Sequence, residues 1–263
     1  MKLRKGDRAL RPVHPNVGLE VEYRRKLKRL VDEMSRSYAH WIRAQYRRDP
    51  PAMAMDEPPS RKLERELSIL GRQWLKRFDE AAPKLAQWFA LATHNRSRDA
   101  LKRILADAGI SIPFQMTPAM RDVFHATVVE NVSLIKSIQS QYHTEVQGMV
   151  MRSAAAGRDL EMLTKDLTAR FGITNRRAAF IARDQNNKAA SQFVRVRQEQ
   201  LGLKAKWLHS AGGKEPRPTH VANSGKLYDP VKGWFDPAVG RYIWPGTEIN
   251  CRCVSVSVVP GFS

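Results

Sequence analysis

The chain has 263 residues, 42% of them hydrophobic and 8% aromatic, and carries 45 Lys and Arg against 26 Asp and Glu for a net charge of +19. Length and hydrophobic content suit one large globular domain or two modest ones and exclude wholesale disorder. The longest apolar stretch, around Ala86 to Ala92, is far short of the roughly 18 to 20 residues that cross a bilayer, so an integral membrane protein is excluded and no membrane partner is expected.

The basic start, Met1-Lys-Leu-Arg-Lys-Gly-Asp-Arg8, lacks the apolar centre and cleavage site of a signal peptide, which predicts a protein made and used in a cytosol. Cys251 and Cys253 are the only cysteines, too few for a disulfide framework. The charge is uneven: residues 1–48 carry +9, residues 61–103 carry +6 and residues 151–206 carry +7, all in stretches that read as helical.

The first predicted element is a long amphipathic helix from about Val17 to Arg48. Val21, Leu27, Leu30, Val31, Met34, Tyr38, Trp41, Ile42 and Tyr46 recur along it at steps of three and four. Its opposite face holds Arg24, Arg25, Lys28, Arg29, Arg36 and Arg43, candidate contacts to DNA phosphates. Residues 49–60 contain four prolines and read as a linker, because proline removes backbone donors and biases its predecessor to extended conformations.

A second helix is predicted from Ser60 to Phe78, a third after Pro83, and another from Arg98 to Ala108, closed by Gly109. Ile110 to Met116 alternates and contains a proline, as an edge strand would. Pro118 opens a helix to about Ser137. Further helices are expected from Tyr142 to Ala156 and from Asp159 to Arg170. Phe171-Gly172-Ile173 then reads as a turn, with Thr174 capping a last helix to Leu201. Two short β-rich pieces follow, Lys204 to His209 and Cys253 to Val259. The predicted class is α+β, mainly α-helical over the N-terminal two-thirds with a small irregular β-containing C-terminal domain, divided into residues 1–112 and 113–263.

Three constellations carry chemistry. The helix, turn, helix pattern over residues 159–201 offers a DNA-reading motif, in which Arg176, Arg177 and Arg183 meet phosphates or base edges. Its alternative is an αα-hairpin in a core. Arg183-Asp184-Gln185-Asn186 interrupts an apolar run and either hydrogen-bonds the following domain or forms a polar site. Cys251-Arg252-Cys253 puts two thiols on one side of a strand. With His209 and His220 they make a zinc site chemically possible, buried structural thiols being the alternative. A nucleophilic pair, Cys251 with His220 oriented by Asp229, is the third option and would make the protein a thiol-dependent hydrolase. Gly212-Gly213-Lys214 and Ser224-Gly225-Lys226 lack the spacing of a phosphate loop and read as turns.

Taken in order, Ile181 to Ala189, Trp207-Leu-His-Ser210, Arg217-Pro-Thr-His220, Trp244-Pro-Gly246 and Asn250-Cys-Arg-Cys253 resemble the head-morphogenesis domain of bacteriophage Mu protein F-like minor head proteins. The resemblance covers about Gln139 to Pro260. Arg11-Pro-Val-His-Pro15 and the helix to Arg48 resemble the N-terminal region of prophage members. One departure stands out: many relatives have an Asp three residues before the Arg of the Arg-x-x-His element, where this chain has Lys214-Glu215-Pro216 before Arg217.

The resemblance implies a non-enzymatic, low-copy component of a phage or prophage head that associates with the portal protein and the major capsid or scaffolding protein. It implies assembly in the host bacterial cytoplasm, carriage in the virion, and non-specific contact with double-stranded DNA. Arg183, Asp184, Asn186, Trp207, Arg217, His220, Gly246, Asn250, Cys251 and Cys253 are then motif residues that hold the C-terminal domain. Some relatives append an enzymatic domain, and this chain ends three residues after Pro260.

Overall fold

The computed structural model describes residues 6–48, 59–157, 159–210 and 215–261. Its order is β1 (Arg8–Ala9), α1 (Val17–Arg48), α2 (Pro59–Asp107), α3 (Pro118–Ala155), α4 (Leu160–Gln200), β2 (Lys204–Leu208), α5 (Pro218–Ala222), β3 (Leu227–Tyr228), β4 (Trp234–Asp236), β5 (Arg241–Ile243) and β6 (Val254–Val259). The protein is α+β: long helices fill the N-terminal two-thirds and short antiparallel strands the C-terminal part. The linker expected over 49–60 falls outside the described residues as far as residue 58, and α2 begins at Pro59.

The stripe on α1 is Leu19, Tyr23, Leu27, Val31, Met34, Tyr38, Ile42 and Tyr46, all buried at spacings of three or four. Trp41, placed on that stripe by periodicity, is half-buried. Arg24, Arg25, Lys28, Arg29, Arg36 and Arg43 are exposed, with Lys28 paired to Asp32 at 2.7 Å.

Breaks expected within the later helices do not occur. Helix α2 runs through Pro83, because its flanking residues Phe78, Ala82, Ala86 and Phe89 are fully buried and their burial offsets the single backbone hydrogen bond that proline removes. Helix α4 runs unbroken through Phe171-Gly172-Ile173, which overturns the helix, turn, helix motif and with it the recognition-helix reading of residues 159–201. Thr174 is no cap. Its hydroxyl donates to the carbonyl of Arg170 at 3.0 Å, a bond made inside a continuous helix. Ile110 to Met116 forms no strand; Ile110 and Phe114 instead lie against a cluster of Leu10, Val13, Leu101, Leu105, Ala108 and Val194.

The chain divides into two compact units. One comprises residues 22–86 and 129–182, the larger parts of α1, α2 and α3 and the first half of α4. Polar bridges join its helices. Tyr23 donates to Asn131 at 2.8 Å, Trp74 to Ser37 at 3.0 Å, and the Gln139 amide to the carbonyl of Gly71 at 3.2 Å. Gly71 allows a close approach: a Cβ there would stand 2.4 Å from the His143 ring, which meets the Tyr38 hydroxyl at 2.9 Å.

The other unit comprises residues 1–21, 87–128 and 183–263. Its sheet has the order β1-β6-β2-β3, all antiparallel, with Ala205 opposite Ser257 and Trp207 opposite Ser255. A second ribbon pairs β4 with β5. Beside them lies a cluster of Ala205, Trp207, Tyr228, Ile243, Cys251 and Cys253, with Trp234 and Trp244 against it.

Candidate functional site

The second half of α4 presents a polar row at helical spacing, Asp184, Asn187, Lys188, Ser191 and Arg195, to the loop between β5 and β6. Asp184, buried, accepts the backbone N–H of Asn250 at 2.5 Å and pairs with Lys188 at 3.2 Å. The Asn187 amide donates to the carbonyl of Cys251 at 3.2 Å, and the Ser191 hydroxyl donates to that of Pro245. Arg195 lies over the Trp244 ring, 4.8 Å from its centroid. Further along, Gln198 donates to Ser257 at 2.9 Å and accepts from Ser255 at 2.9 Å. The polar interruption in the sequence is therefore a clamp in which side chains satisfy backbone groups of a loop that has few strand partners.

The clamp fixes two unusual backbone positions. Asn250 has φ of 58°, a left-handed conformation held by the Asp184 bond and by Arg183, which donates to the Asn250 side chain at 3.1 Å. Arg217 adds a bond to the carbonyl of Ile249 at 2.9 Å. Gly246 has φ of 80°, and a Cβ there would meet the carbonyl of Cys253 and the Ser191 side chain at 3.1 Å. Asn186 points elsewhere, donating to the carbonyl of Asn16 at 3.1 Å.

Held in this way, the Cys251-Arg252-Cys253 segment brings both thiols against one imidazole. His220, on the short helix α5 opened by Pro218, has Nδ1 at 3.5 Å from Cys251 Sγ and 3.7 Å from Cys253 Sγ. His209 Nδ1 lies 3.6 Å from Cys253 Sγ. All three of His220, Cys251 and Cys253 are buried, and their ligand atoms lie within 4.8 Å of one another.

On the far side of the ring, His220 Nε2 is 3.3 Å from Asp236 Oδ2. Asp236 is wholly buried and accepts from the Thr219 hydroxyl at 3.2 Å and the Ala238 N–H at 3.0 Å. Sequence reasoning named Asp229 as the orienting acid. The structure corrects this: the Asp229 carboxylate accepts the Val231 N–H at 2.8 Å, and the carboxylate beside the imidazole is that of Asp236. Trp207, fully buried, sets its ring edge-on to His220 with centroids 5.1 Å apart.

The thiols titrate as a pair. Hydrogen bonding from Cys253 outweighs burial and, with help from His220 and the backbone N–H groups of Cys253 and Gly246, draws the first proton loss, assigned to Cys251, down to about 4. The same interaction, with burial and the neighbouring charge, pushes Cys253 up. Two thiols grouped with one imidazole nitrogen form a donor set that suits a soft divalent cation. His220, Cys251 and Cys253 are the residues that can hold one.

Beyond the thiols lies a cavity of about 640 Å3, lined among others by Arg183, His209, Glu215, Arg217 and Arg252. Glu215, the displaced acid of the Arg-x-x-His element, is exposed at this wall.

An α+β protein with a long helical part and a clamped His/Cys segment is the class this geometry defines. Residues 144–256 match the family described as Phage Mu protein F like protein, and over that segment the chain is similar to it. An uncharacterized protein of Haemophilus influenzae is 34% identical over 155 residues, covering 57% of this chain and 32% of that protein, so the match spans about a third of that relative's length. No solved structure matches the chain. No helix among the described residues is long and apolar enough to cross a membrane.

Proposed function

We propose that the protein is a minor head component of a phage or prophage. It acts in head morphogenesis by association with the portal protein and with the major capsid or scaffolding protein, and it works by binding rather than by turnover. The observation that carries this reading is the coincidence of the family segment, residues 144–256, with the clamp and the His/Cys cluster. Arg183, Asp184, Trp207, Arg217, Gly246, Asn250 and both cysteines, scattered over 71 positions of sequence, serve one loop and one cluster. A structural protein of an assembly needs such a fixed segment.

Contact with double-stranded DNA is the second part of the proposal. The exposed face of Arg24, Arg25, Lys28, Arg29, Arg36 and Arg43, in a chain of net charge +19, supports phosphate neutralisation without base readout. The place of action is the virion head, reached by assembly in the host cytoplasm.

Tagged protein purified from cells producing the particle tests both parts. Recovery of portal and capsid proteins that survives high salt is expected, with DNA lost as salt rises. Recovery of nucleic acid alone contradicts the head assignment.

A second reading rests on the alignment of Cys251, His220 and Asp236, the order of groups in a thiol hydrolase. It predicts that one sulfur acts alone as nucleophile, whereas here the His220 Nδ1 faces two. Rapid, stoichiometric alkylation of Cys251 with Cys253 untouched would favour that reading.

A further inference from the structure

The distances around His220 match a ligand set better than a hydrogen-bonded trio. An imidazole nitrogen that carries no proton has one lone pair, which accepts one hydrogen bond. Here that lone pair faces two sulfurs, at 3.5 and 3.7 Å. A zinc ion binds sulfur at about 2.3 Å and imidazole nitrogen at about 2.0–2.1 Å, so tetrahedral ligands S and N stand roughly 3.5–3.6 Å apart. The two S···N distances fit tetrahedron edges sharing the Nδ1 corner.

The surroundings are those of a metal's outer shell. Ligating histidines donate their second ring N–H to a carboxylate or carbonyl, which fixes tautomer and ring orientation. Asp236, fully buried and held by Thr219 and Ala238, places Oδ2 3.3 Å from His220 Nε2, the position such a carboxylate takes. Two thiolates and one imidazole favour Zn2+ over the hard, oxygen-seeking cations.

We propose that His220, Cys251 and Cys253 bind a single Zn2+ ion, with Asp236 positioning the imidazole through Nε2 and the fourth coordination position facing the cavity lined by His209, Arg183 and Arg217. The ion ties α5 to the segment entering β6. This inference stands apart from the head assignment, since it concerns what holds the C-terminal segment and not where the protein goes.

The test uses the full chain, purified under reducing conditions. Elemental analysis is expected to find about one zinc per chain. After stripping with a chelator, Co2+ is expected to bind with the same stoichiometry and to give thiolate charge-transfer and tetrahedral d–d absorption. Both readouts use the wild-type protein and so do not depend on a variant folding. The double variant Cys251→Ser, Cys253→Ser is expected to lose the charge-transfer band, and Asp236→Asn to keep it with affinity weakened about 10- to 100-fold. Wild-type protein with far less than one metal per chain and no cobalt band overturns the proposal. So does a cobalt band that persists in the double cysteine variant, or an Asp236→Asn protein with undiminished affinity.

Discussion

The helical unit of residues 22–86 and 129–182 and the C-terminal part of the other unit solve the same problem by different means. In the first, stripes such as Leu27, Val31, Met34, Tyr38 and Ile42 are buried and long helices satisfy their own backbone, so hydrogen bonds between elements such as Tyr23 to Asn131, Trp74 to Ser37 and Arg77 to Glu33 join side chain to side chain. In the second, strands are two to six residues long and the loop before β6 leaves its carbonyls and N–H groups to be met by Asp184, Asn187, Ser191 and Arg217. Apolar area is tolerant of exchange between similar residues, whereas a buried polar partner is not. The conclusion is that information specific to this protein's role is concentrated where regular structure is sparse.

The sharpest break of that contrast is Trp207→Ala. Trp207 is fully buried among Tyr228, Trp234 and His220, and its truncation is expected to cost about 3–5 kcal/mol, read from the denaturant midpoint. A smaller loss would mean that the aromatic cluster is less well packed than its burial implies.

Next is Asp184→Ala, which leaves the Asn250 N–H and the Lys188 ammonium without their carboxylate. A loss of about 1–3 kcal/mol is expected, with faster amide exchange at Asn250 and Cys251. An unchanged exchange rate there would show that the clamp does not hold the loop.

Acid affects the helical unit through His143, which burial holds below its usual 6.5. The unfolded chain therefore binds this proton at higher pH than the folded one. The resulting stabilisation is present above pH 6.5 and is lost as pH falls through the folded value. Urea midpoints between pH 7.5 and 5 are expected to fall less steeply in His143→Gln than in wild type. His94, lowered by burial and by Arg197, adds the same sign in the other unit.

The smallest stability effect is expected on α1. Replacing any one of Arg24, Arg25 or Arg43 by Ala is expected to shift stability by no more than about 0.5 kcal/mol. Each that meets a phosphate should nevertheless lower the magnitude of the salt slope of DNA binding by about 1. Slopes that do not change would take the DNA contacts off this face.

Much of this was legible in the sequence, and the failures have physical causes. The α1 stripe and the pieces that became β2 and β6 follow from periodicity. Continuity through Pro83 and through Phe171-Gly172-Ile173 was not legible, because burial on either side outweighs the local cost of proline or glycine. Strand β1 is two residues, Arg8 and Ala9, paired with Val259 and Val258, and no local pattern announces so short an edge. At the site, His220, Cys251 and Cys253 were found from their chemistry, whereas Asp236 was missed in favour of Asp229. Nothing in Trp234-Phe-Asp-Pro237 says that its carboxylate turns inward, and only the β4–β5 ribbon places it against His220. The short Arg183-Asp184-Gln185-Asn186 polar run was the signal of the clamp, though Asn187 and Ser191, which also serve it, lie beyond that run.

The most direct measurement is quantitative mass spectrometry of purified, nuclease-treated and salt-washed heads assembled with wild-type protein, with Asp184→Ala, and with Arg24, Arg25, Lys28, Arg29, Arg36 and Arg43 together replaced by Ala. The account predicts a fixed low copy number for wild type, reduced incorporation of Asp184→Ala, and near-normal incorporation of the charge-stripped protein. Absence of the wild-type protein from heads, or loss of the charge-stripped protein while Asp184→Ala is retained, would contradict it.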